Sequence, residues 1–551
     1  MDKHWLRSYP AGVPHEIDPA QYRSLTQLLE ESFRKNAARP FSVCMERWMS
    51  YGQLDELSSA LGAWLQSQGL EPGARVALML PNIPQFAVTM AAILRAGYTC
   101  VNVNPLYTAR ELEHQLRDSG ARAIVAFENV CATLQEVVAR TPLKRVITTQ
   151  YADLFPLPRA WIANFVVKRV KRLVPPWHIP GAVPLRTALA RGKAQPYARA
   201  PLAHGDVAFL QYTGGTTGLS KGATLTHGNV LANLLQMRSW MPQLAEGSEL
   251  IVTALPLYHI FALTVNCLLF FSLGGKNVLI ANPRDLPGFV REWSRHAVTA
   301  FTGVNTLFNG LLNTPGFGQL DFSKLKLTIG GGAAVQQAVA ERWRQVTGKA
   351  LSEGYGLSET SPSVTTTPLH KPDWTGAIGV PLPSTWVSIR DDANRELPAG
   401  EAGELCVKGP QVMQGYWQKA EENARAFTPD GYLRTGDVAL MDERGWFRIV
   451  DRKKDMVLVS GFNVYPNEIE AVLALHPGVL ESACVGVPDA KSGEAVKVFV
   501  VKKDPALTEA QLVEHCRRNL TGYKVPRHVA FLPELPKSNV GKILRKELRG
   551  R

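Results

Sequence analysis

A glycine- and hydroxyl-rich stretch carries the plainest chemistry in this sequence: Gln211-Tyr212-Thr213-Gly214-Gly215-Thr216-Thr217-Gly218-Leu219-Ser220-Lys221-Gly222. Glycine lets the backbone turn sharply and come close to an oxyanion. Successive N–H groups in such a turn form an anion nest. Thr213, Thr216, Thr217 and Ser220 add hydroxyl donors, and Lys221 adds a positive charge. Together these groups suit the cradling of phosphate. The Walker order is absent, because that pattern places Gly-Lys-Ser/Thr together, whereas Lys221 follows Ser220 and precedes Gly222. Three more constellations fit the same substrate chemistry. In Gly354-Tyr355-Gly356-Leu357-Ser358-Glu359, the flat Tyr355 can stack on a base. Glu359 is a hard oxygen ligand of the kind Mg²⁺ takes alongside phosphate oxygens. Asp437, after Thr435-Gly436, can accept two hydrogen bonds from a diol. Gly541 makes a turn that presents Lys542, and an ammonium there can stabilise charge developing on a carboxylate and a phosphate.

The order Tyr-Thr-Gly-Gly-Thr-Thr-Gly, two residues, then Lys-Gly resembles the phosphate loop of the adenylate-forming superfamily. That group includes acyl-CoA synthetases, peptide-synthetase adenylation domains and beetle luciferases. Residues 354–360 and Pro536-Lys537-Ser538-Asn539-Val540-Gly541-Lys542-Ile543 resemble further motifs of the superfamily. Asp430 to Asp437, with Asp451-Arg452-Lys453-Lys454-Asp455, is similar to the signature of fatty-acyl-CoA synthetases. The chain departs from it at Tyr432, where Trp is usual, and at Arg434, where His is usual. Ser358 stands where Thr is commoner, and keeps the hydroxyl. The likeness spans nearly the whole chain, and within the superfamily it is greatest to the bacterial long-chain fatty-acid–CoA ligases.

The resemblance implies an α/β fold. A large N-terminal domain (1–450) would hold doubly wound sheets and a β-barrel-like subdomain, and a hinge (451–455) would lead to a small mobile α+β C-terminal domain (456–551). It implies catalytic roles for Lys542, Glu359, His259 and Lys454, the last as the hinge pivot. On residue type alone His259 suits a satisfied core histidine; the resemblance instead implies that it positions a reacting carboxylate. Nucleotide contacts are implied for Tyr212, Thr213, Gly214, Gly215, Thr216, Thr217, Gly218 and Lys221. The same holds for Gly331 and Gly332, for Tyr355, Gly356 and Ser358, and for Asp437 and Arg452. Gly461 would line a pantetheine tunnel. Mg²⁺ would sit on Glu359 and Thr213. The implied reaction joins a long-chain fatty acid to CoA through acyl-AMP, at the expense of ATP. An acyl-AMP ligase loading a carrier protein, and a CoA ligase for medium-chain or aromatic acids, stand as alternatives. A homodimer is compatible with the resemblance.

The elements that must position these groups are legible from periodicity. Apolar runs at 75–80, 99–103, 123–126 and 207–210 read as strands. They alternate with helical patterns at 86–94 and 111–116, as in a doubly wound parallel sheet. Leu25, Leu28, Leu29 and Phe33 fall on one helical face, as do Leu54, Leu57, Leu61 and Leu65. A helix can start at Thr226 or His227, and another spans 466–475. Residues 190–206 read as a polar surface connection.

A chain of 551 residues exceeds one ordinary core. Its net charge of +13 favours an anionic partner, and no zinc-finger or RNP-type pattern points to nucleic acid. The seven cysteines form no CxxC pair, so neither a disulfide framework nor a zinc site is expected. Together with the lack of a signal-peptide pattern this fits a cytoplasmic protein. No run is long and apolar enough to span a bilayer. Residues 159–177 contain Trp161, Phe165, Val166, Val170, Leu173 and Val174 interleaved with Lys168, Arg169, Lys171 and Arg172, and no acid. Such a stretch either packs as a surface helix on its own domain or lies in a membrane interface at the inner face of the cytoplasmic membrane.

Overall fold

The computed structural model describes residues 3–213, 220–369, 373–489 and 491–550. Gly214, Gly215, Thr216, Thr217 and Gly218 lie outside the described residues. Four sheets run through the described part of the chain. In the first, Val183–Pro184, Arg145–Thr149, Ala123–Phe127, Arg75–Met79, Thr99–Asn102, Val207–Thr213 and Lys221–Thr226 lie side by side in that order. All are parallel except the last, which returns antiparallel. The alternating β-branched residues of Ala223-Thr224-Leu225-Thr226 account for that return. The phosphate loop therefore joins two paired strands, and the helix His227–Trp240 starts only after the second, capped by Thr226. The 190–206 stretch is not wholly irregular: a helix, Leu185–Lys193, extends into it.

The second sheet follows the order Val380–Pro381, Ser363–Thr366, Ser352–Gly356, Leu327–Gly331, Ala300–Gly303, Leu250–Thr253, Lys276–Leu279, Pro40–Cys44 and Arg47–Ser50. The six strands from Ser352–Gly356 to Pro40–Cys44 are mutually parallel. Most of their residues are buried, as fits strands covered on both faces. Trp386–Arg390, Gly403–Lys408, Leu433–Met441 and Phe447–Arg452 form an antiparallel sheet of four. The last sheet is built wholly from the C-terminal part, with Val479–Asp489 and Gly493–Lys502 as its two longest strands. The helices Pro466–Ala474 and Glu509–Asn519 contribute Ile469, Leu473, Leu512 and Cys516 to its own apolar core.

Parallel strands deliver their C-terminal ends to one edge, and that edge is where open α/β sheets bind ligands. In the second sheet, Leu250–Thr253 leads to His259, and Ala300–Gly303 leads to Thr306. Leu327–Gly331 leads to Gly332, and Ser352–Gly356 leads to Glu359. Asn82 ties this edge to that of the first sheet. It follows the strand Arg75–Met79, and its buried amide donates to the carbonyls of Thr253 and Leu255 at 3.0 and 2.9 Å. Its Oδ1 accepts from the Leu257 N–H at 2.8 Å. Replacing Asn82 by Ala would leave three buried backbone groups without this partner. The expected loss is about 2–4 kcal/mol of stability, read as a lower urea midpoint; an unchanged midpoint would show that the two sheets are registered by other contacts.

Candidate active site

The strand Val207–Thr213 ends at the phosphate loop, and Lys221 resumes the chain opposite Thr213. Tyr212 lies across from Gly222, where a Cβ would meet the tyrosine ring at 2.9 Å. The Tyr212 hydroxyl donates to Asp118 Oδ2 at 2.7 Å, and Lys419 donates to the other oxygen of Asp118 at 2.6 Å. Lys221 Nζ donates to Glu422 at 2.7 Å and stands 4.7 Å from the centre of the Tyr416 ring. That hydrogen bond holds the Glu422 carboxyl below its ordinary range. The Tyr416 hydroxyl donates to Glu359 Oε1 at 2.7 Å. Burial, and then the Glu359 charge, push the Tyr416 phenol far up. The base of the loop is thus braced by the segment 413–422, which also exchanges backbone hydrogen bonds with Gly222, Thr224 and Glu359.

The second half of the site gathers around Asp437. This buried carboxylate accepts from the Tyr355 hydroxyl at 2.7 Å. It pairs with Arg452 at 3.3 Å across two adjacent antiparallel strands. Burial, and then Asp437, raise the Tyr355 phenol well above its usual range. Gly356 is a close approach: a Cβ there would stand 1.9 Å from the Pro362 carbonyl oxygen. Ser358 and Glu359 begin the short 3-10 turn that follows. The departures at Tyr432 and Arg434 face elsewhere. Tyr432 lies under the Arg390 guanidinium, 4.3 Å from its ring centre, and Arg434 pairs with Glu404.

Lys542 reaches this cluster from a turn near the C-terminus, closed by the isolated bridge between Lys537 and Ile543. Gly541 has φ +81°, a conformation that favours glycine. Its carbonyl accepts from Thr306 Oγ1 at 2.9 Å, and Ser538 closes the turn through bonds to both backbone groups of Lys542. At Gly332, one of the implied nucleotide contacts, a Cβ would stand 3.1 Å from Lys542 Cε, so the glycine turn makes room for this lysine. Desolvation, and then the like charge of Arg452, pull the Lys542 ammonium down to about 8, against the opposing pull of Asp437 and Glu359. His259 sits within the field of Lys542 and is held down to about 3, first by burial and then by that lysine. It is therefore neutral. Its Nδ1 accepts from the Phe261 N–H at 3.4 Å, which leaves Nε2–H as a donor.

The residues expected to form the hinge adjoin a cluster centred on Arg545. Arg545 pairs with Asp451 at 3.1 Å, with Glu470 at 2.8 Å and with Asp455 at 3.7 Å. Asp451 is fully buried and also accepts from the Asn467 N–H. Lys454 is lowered to about 8, by desolvation and then by Arg452. Gly461 lies at the turn between Val457–Val459 and Phe462–Val464, with open space where a Cβ would stand. It is not brought to Lys542. Sequence reasoning missed Asp118, Thr306, Tyr416, Lys419, Glu422 and Arg545. The pair Tyr416-Trp417 after a glycine was a signal for one of them. Thr306 has none, because its role depends on what docks against it.

This geometry places the chain in a known class. A profile described as AMP-binding enzyme matches residues 29–417, and one described as AMP-binding enzyme C-terminal domain matches 468–542. The chain belongs to the AMP-binding enzyme family, for which ATP and CoA are fitting co-substrates. Among its relatives, the long-chain-fatty-acid–CoA ligase of Escherichia coli O6:H1 is 58% identical over 551 residues, covering 100% of this chain and 98% of that one. The protein of the same name from Haemophilus influenzae is 50% identical, with the same coverage. The solved structure of ATP-bound MatB from Rhodopseudomonas palustris superposes with a TM-score of 0.82 at 29% identity, over 95% of this chain and 98% of that one. An anthranilate CoA ligase in complex with anthranoyl-AMP shares the fold, with a TM-score of 0.85 at 24% identity over 97% and 98% of the two chains.

The protonated form of Lys542 is the one that can stabilise developing negative charge. The kcat/KM for ATP is therefore expected to fall as pH rises through about 8, the value to which burial lowers the ammonium. Lys542→Arg should remove that alkaline limb along with much of the rate. A limb persisting in the arginine variant would assign it to another group, Lys454 first.

Proposed function

We infer that this protein activates long-chain fatty acids to acyl-CoA in two half-reactions. In the first, a carboxylate oxygen of the fatty acid bonds to the α-phosphorus of ATP. The bond from that phosphorus to the bridging oxygen breaks, and pyrophosphate leaves with the electron pair. In the second, the CoA thiol gives up its proton to water, its sulfur bonds to the acyl carbon, the bond from that carbon to the phosphate oxygen breaks, and AMP leaves with the electron pair. A carboxylate is a poor acyl donor, and the mixed anhydride supplies the leaving group it lacks. The observation that carries this reading is the delivery of Lys542, clamped by Thr306, into a field shared with Glu359, Asp437 and His259. The relatives at 50–58% identity supply the substrate class.

In this reading Lys221 and the loop after Thr213 hold the β- and γ-phosphates. Tyr355 flanks the adenine, and Asp437 exchanges its internal bonds for the ribose hydroxyls. Arg452 and Ser358 face the phosphates, Gly331, Gly332 and Gly356 give the backbone room, and His259 orients the carboxylate through Nε2–H. The donor set suits Mg²⁺. Glu359 offers a carboxylate and Thr213 a hydroxyl, and no cluster of three or more His, Cys, Asp or Glu competes among the described residues. One or two protein oxygens with phosphates and water is a usual Mg²⁺ shell. When bound, the ion neutralises phosphate charge.

The boundaries 1–450, 451–455 and 456–551 follow as functional units, with Lys454 as the pivot. A swing there withdraws Lys542 and brings in the Gly461 turn, beside which Leu458 and Phe462 are exposed. All seven cysteines are free and buried, in keeping with a reducing cytoplasm. The test separates the halves. Lys542→Ala is expected to lower fatty-acid-dependent ATP–pyrophosphate exchange by about 10²–10³ while still forming acyl-CoA from supplied acyl-AMP. Lys454→Pro should do the reverse. Across a panel of acids, the highest kcat/KM should fall on the long chains. A maximum on medium-chain or aromatic acids would keep the mechanism and overturn the substrate. Exchange without CoA-dependent AMP release would favour a carrier-protein ligase.

A further inference from the structure

Six large apolar side chains between positions 157 and 173 face solvent: Leu157, Trp161, Ile162, Phe165, Val170 and Leu173. Trp161 and Phe165 are 66% and 62% exposed. Trp161, Ile162 and Phe165 lie on the helix Arg159–Phe165 and Val170 on the π-helical turn Val166–Val170 that continues it, with Leu157 and Leu173 flanking the two. In that helix only Ala160 is buried, so Trp161, Ile162 and Phe165 are left outside the packing of their own domain. The backbone is nevertheless held firmly. Asn164 accepts from the Ala152 N–H and donates to Asp153, Lys168 pairs with Glu128, and Asn129 donates to the Leu173 carbonyl. An apolar surface of this size, kept in water by its own anchors, marks an interaction site.

We propose that residues 157–174 dock this protein onto a lipid surface bearing anionic headgroups, lying in the interface without crossing it. The charge pattern selects this occupant. Arg159, Arg169, Lys171 and Arg172 are exposed beside the apolar residues, and no acidic residue lies between 159 and 177. Apolar side chains flanked by cations suit the boundary between headgroups and acyl chains. A second copy of this chain is the poorer fit, because a two-fold contact would set one cationic face against the other. No helix among the described residues is long and apolar enough to cross a membrane. The placement adds a reason. The segment follows the strand Arg145–Thr149, so it stands at the same C-terminal strand edge that carries the phosphate loop and Asn82. The docked face and the reaction site thus share one edge of the first sheet.

The test uses the full chain and vesicles of phosphatidylcholine with increasing phosphatidylglycerol, read by co-sedimentation without ATP or acyl substrate. Its failure would therefore leave the reading of the reaction untouched. Binding should rise with phosphatidylglycerol and fall at high salt. The triple variant W161S/I162S/F165S should lose binding to every vesicle. R169Q/K171Q should bind phosphatidylglycerol vesicles at least tenfold more weakly. Both variants should retain wild-type activity on a water-soluble acid, which establishes that they are folded. Wild-type protein that stays in the supernatant, or variants that bind as wild type does, would overturn the proposal. So would a wild-type dimer that the triple variant splits without any vesicle binding, which would assign the face to a second copy.

Discussion

One buried carboxylate holds the site together. Asp437 takes a hydrogen bond from Tyr355 of the second sheet, an ion pair from Arg452 beside it, and the attraction of Lys542 from the C-terminal part. A buried carboxylate without partners is costly, so these contacts fix how the elements lie as well as what the site can do. The edge of the parallel sheet, the four-stranded antiparallel sheet and the C-terminal hairpin meet at this charge. The same arrangement leaves the ammonium of Lys542 between like and unlike charges, which is a responsive place for a group that must meet a phosphate.

The second constraint is mechanical. Arg545 stands three residues beyond Lys542 and is caged by Asp451, Asp455 and Glu470. Asp451 ends the antiparallel sheet, whereas Glu470 and Asn467 belong to a C-terminal helix. In the proposed swing about Lys454, the bonds from Arg545 and Asn467 to Asp451 span the pivot, and the pair Arg549–Asp455 lies beyond it. Orientation of the lysine hairpin and orientation of the hinge are therefore parts of one ionic cluster. Thr306 and Asn309 of the large part complete the docking, through the carbonyls of Gly541 and Leu480.

Much of this was legible in the sequence where local pattern suffices. The strands near 75, 99, 123 and 207 and the helices between them follow from periodicity. So does the α/β class. Tyr355, Asp437, Glu359 and Lys542 were found because each sits in a short motif whose chemistry is readable, and the structure brings them together. What escaped depends on tertiary contact. The return strand Lys221–Thr226 looked like a lead-in to a helix, because pairing with Val207–Thr213 cannot be seen locally. Asp118 and Glu422 brace the base of the loop from distant segments, and nothing in their own neighbourhoods announces it. Residues 159–177 were open between a packed helix and an interfacial one; Trp161, Phe165, Val170 and Leu173 stand exposed whereas Val166 and Val174 are half-buried, a division that periodicity does not give.

In the proposed function, Lys221 meets the phosphates of the nucleotide from an existing pair with Glu422. A nucleotide entering there exchanges one anionic partner of the lysine for another and does not meet a bare cation. The lysine is kept extended and oriented at its post before the ligand arrives. A singly charged anion from the surrounding salt has little to gain by displacing a carboxylate already in hydrogen-bonding contact, whereas a polyphosphate brings several charges at once. The internal pair thus works as a threshold of valence, favouring ligands whose charge is concentrated enough to win the exchange.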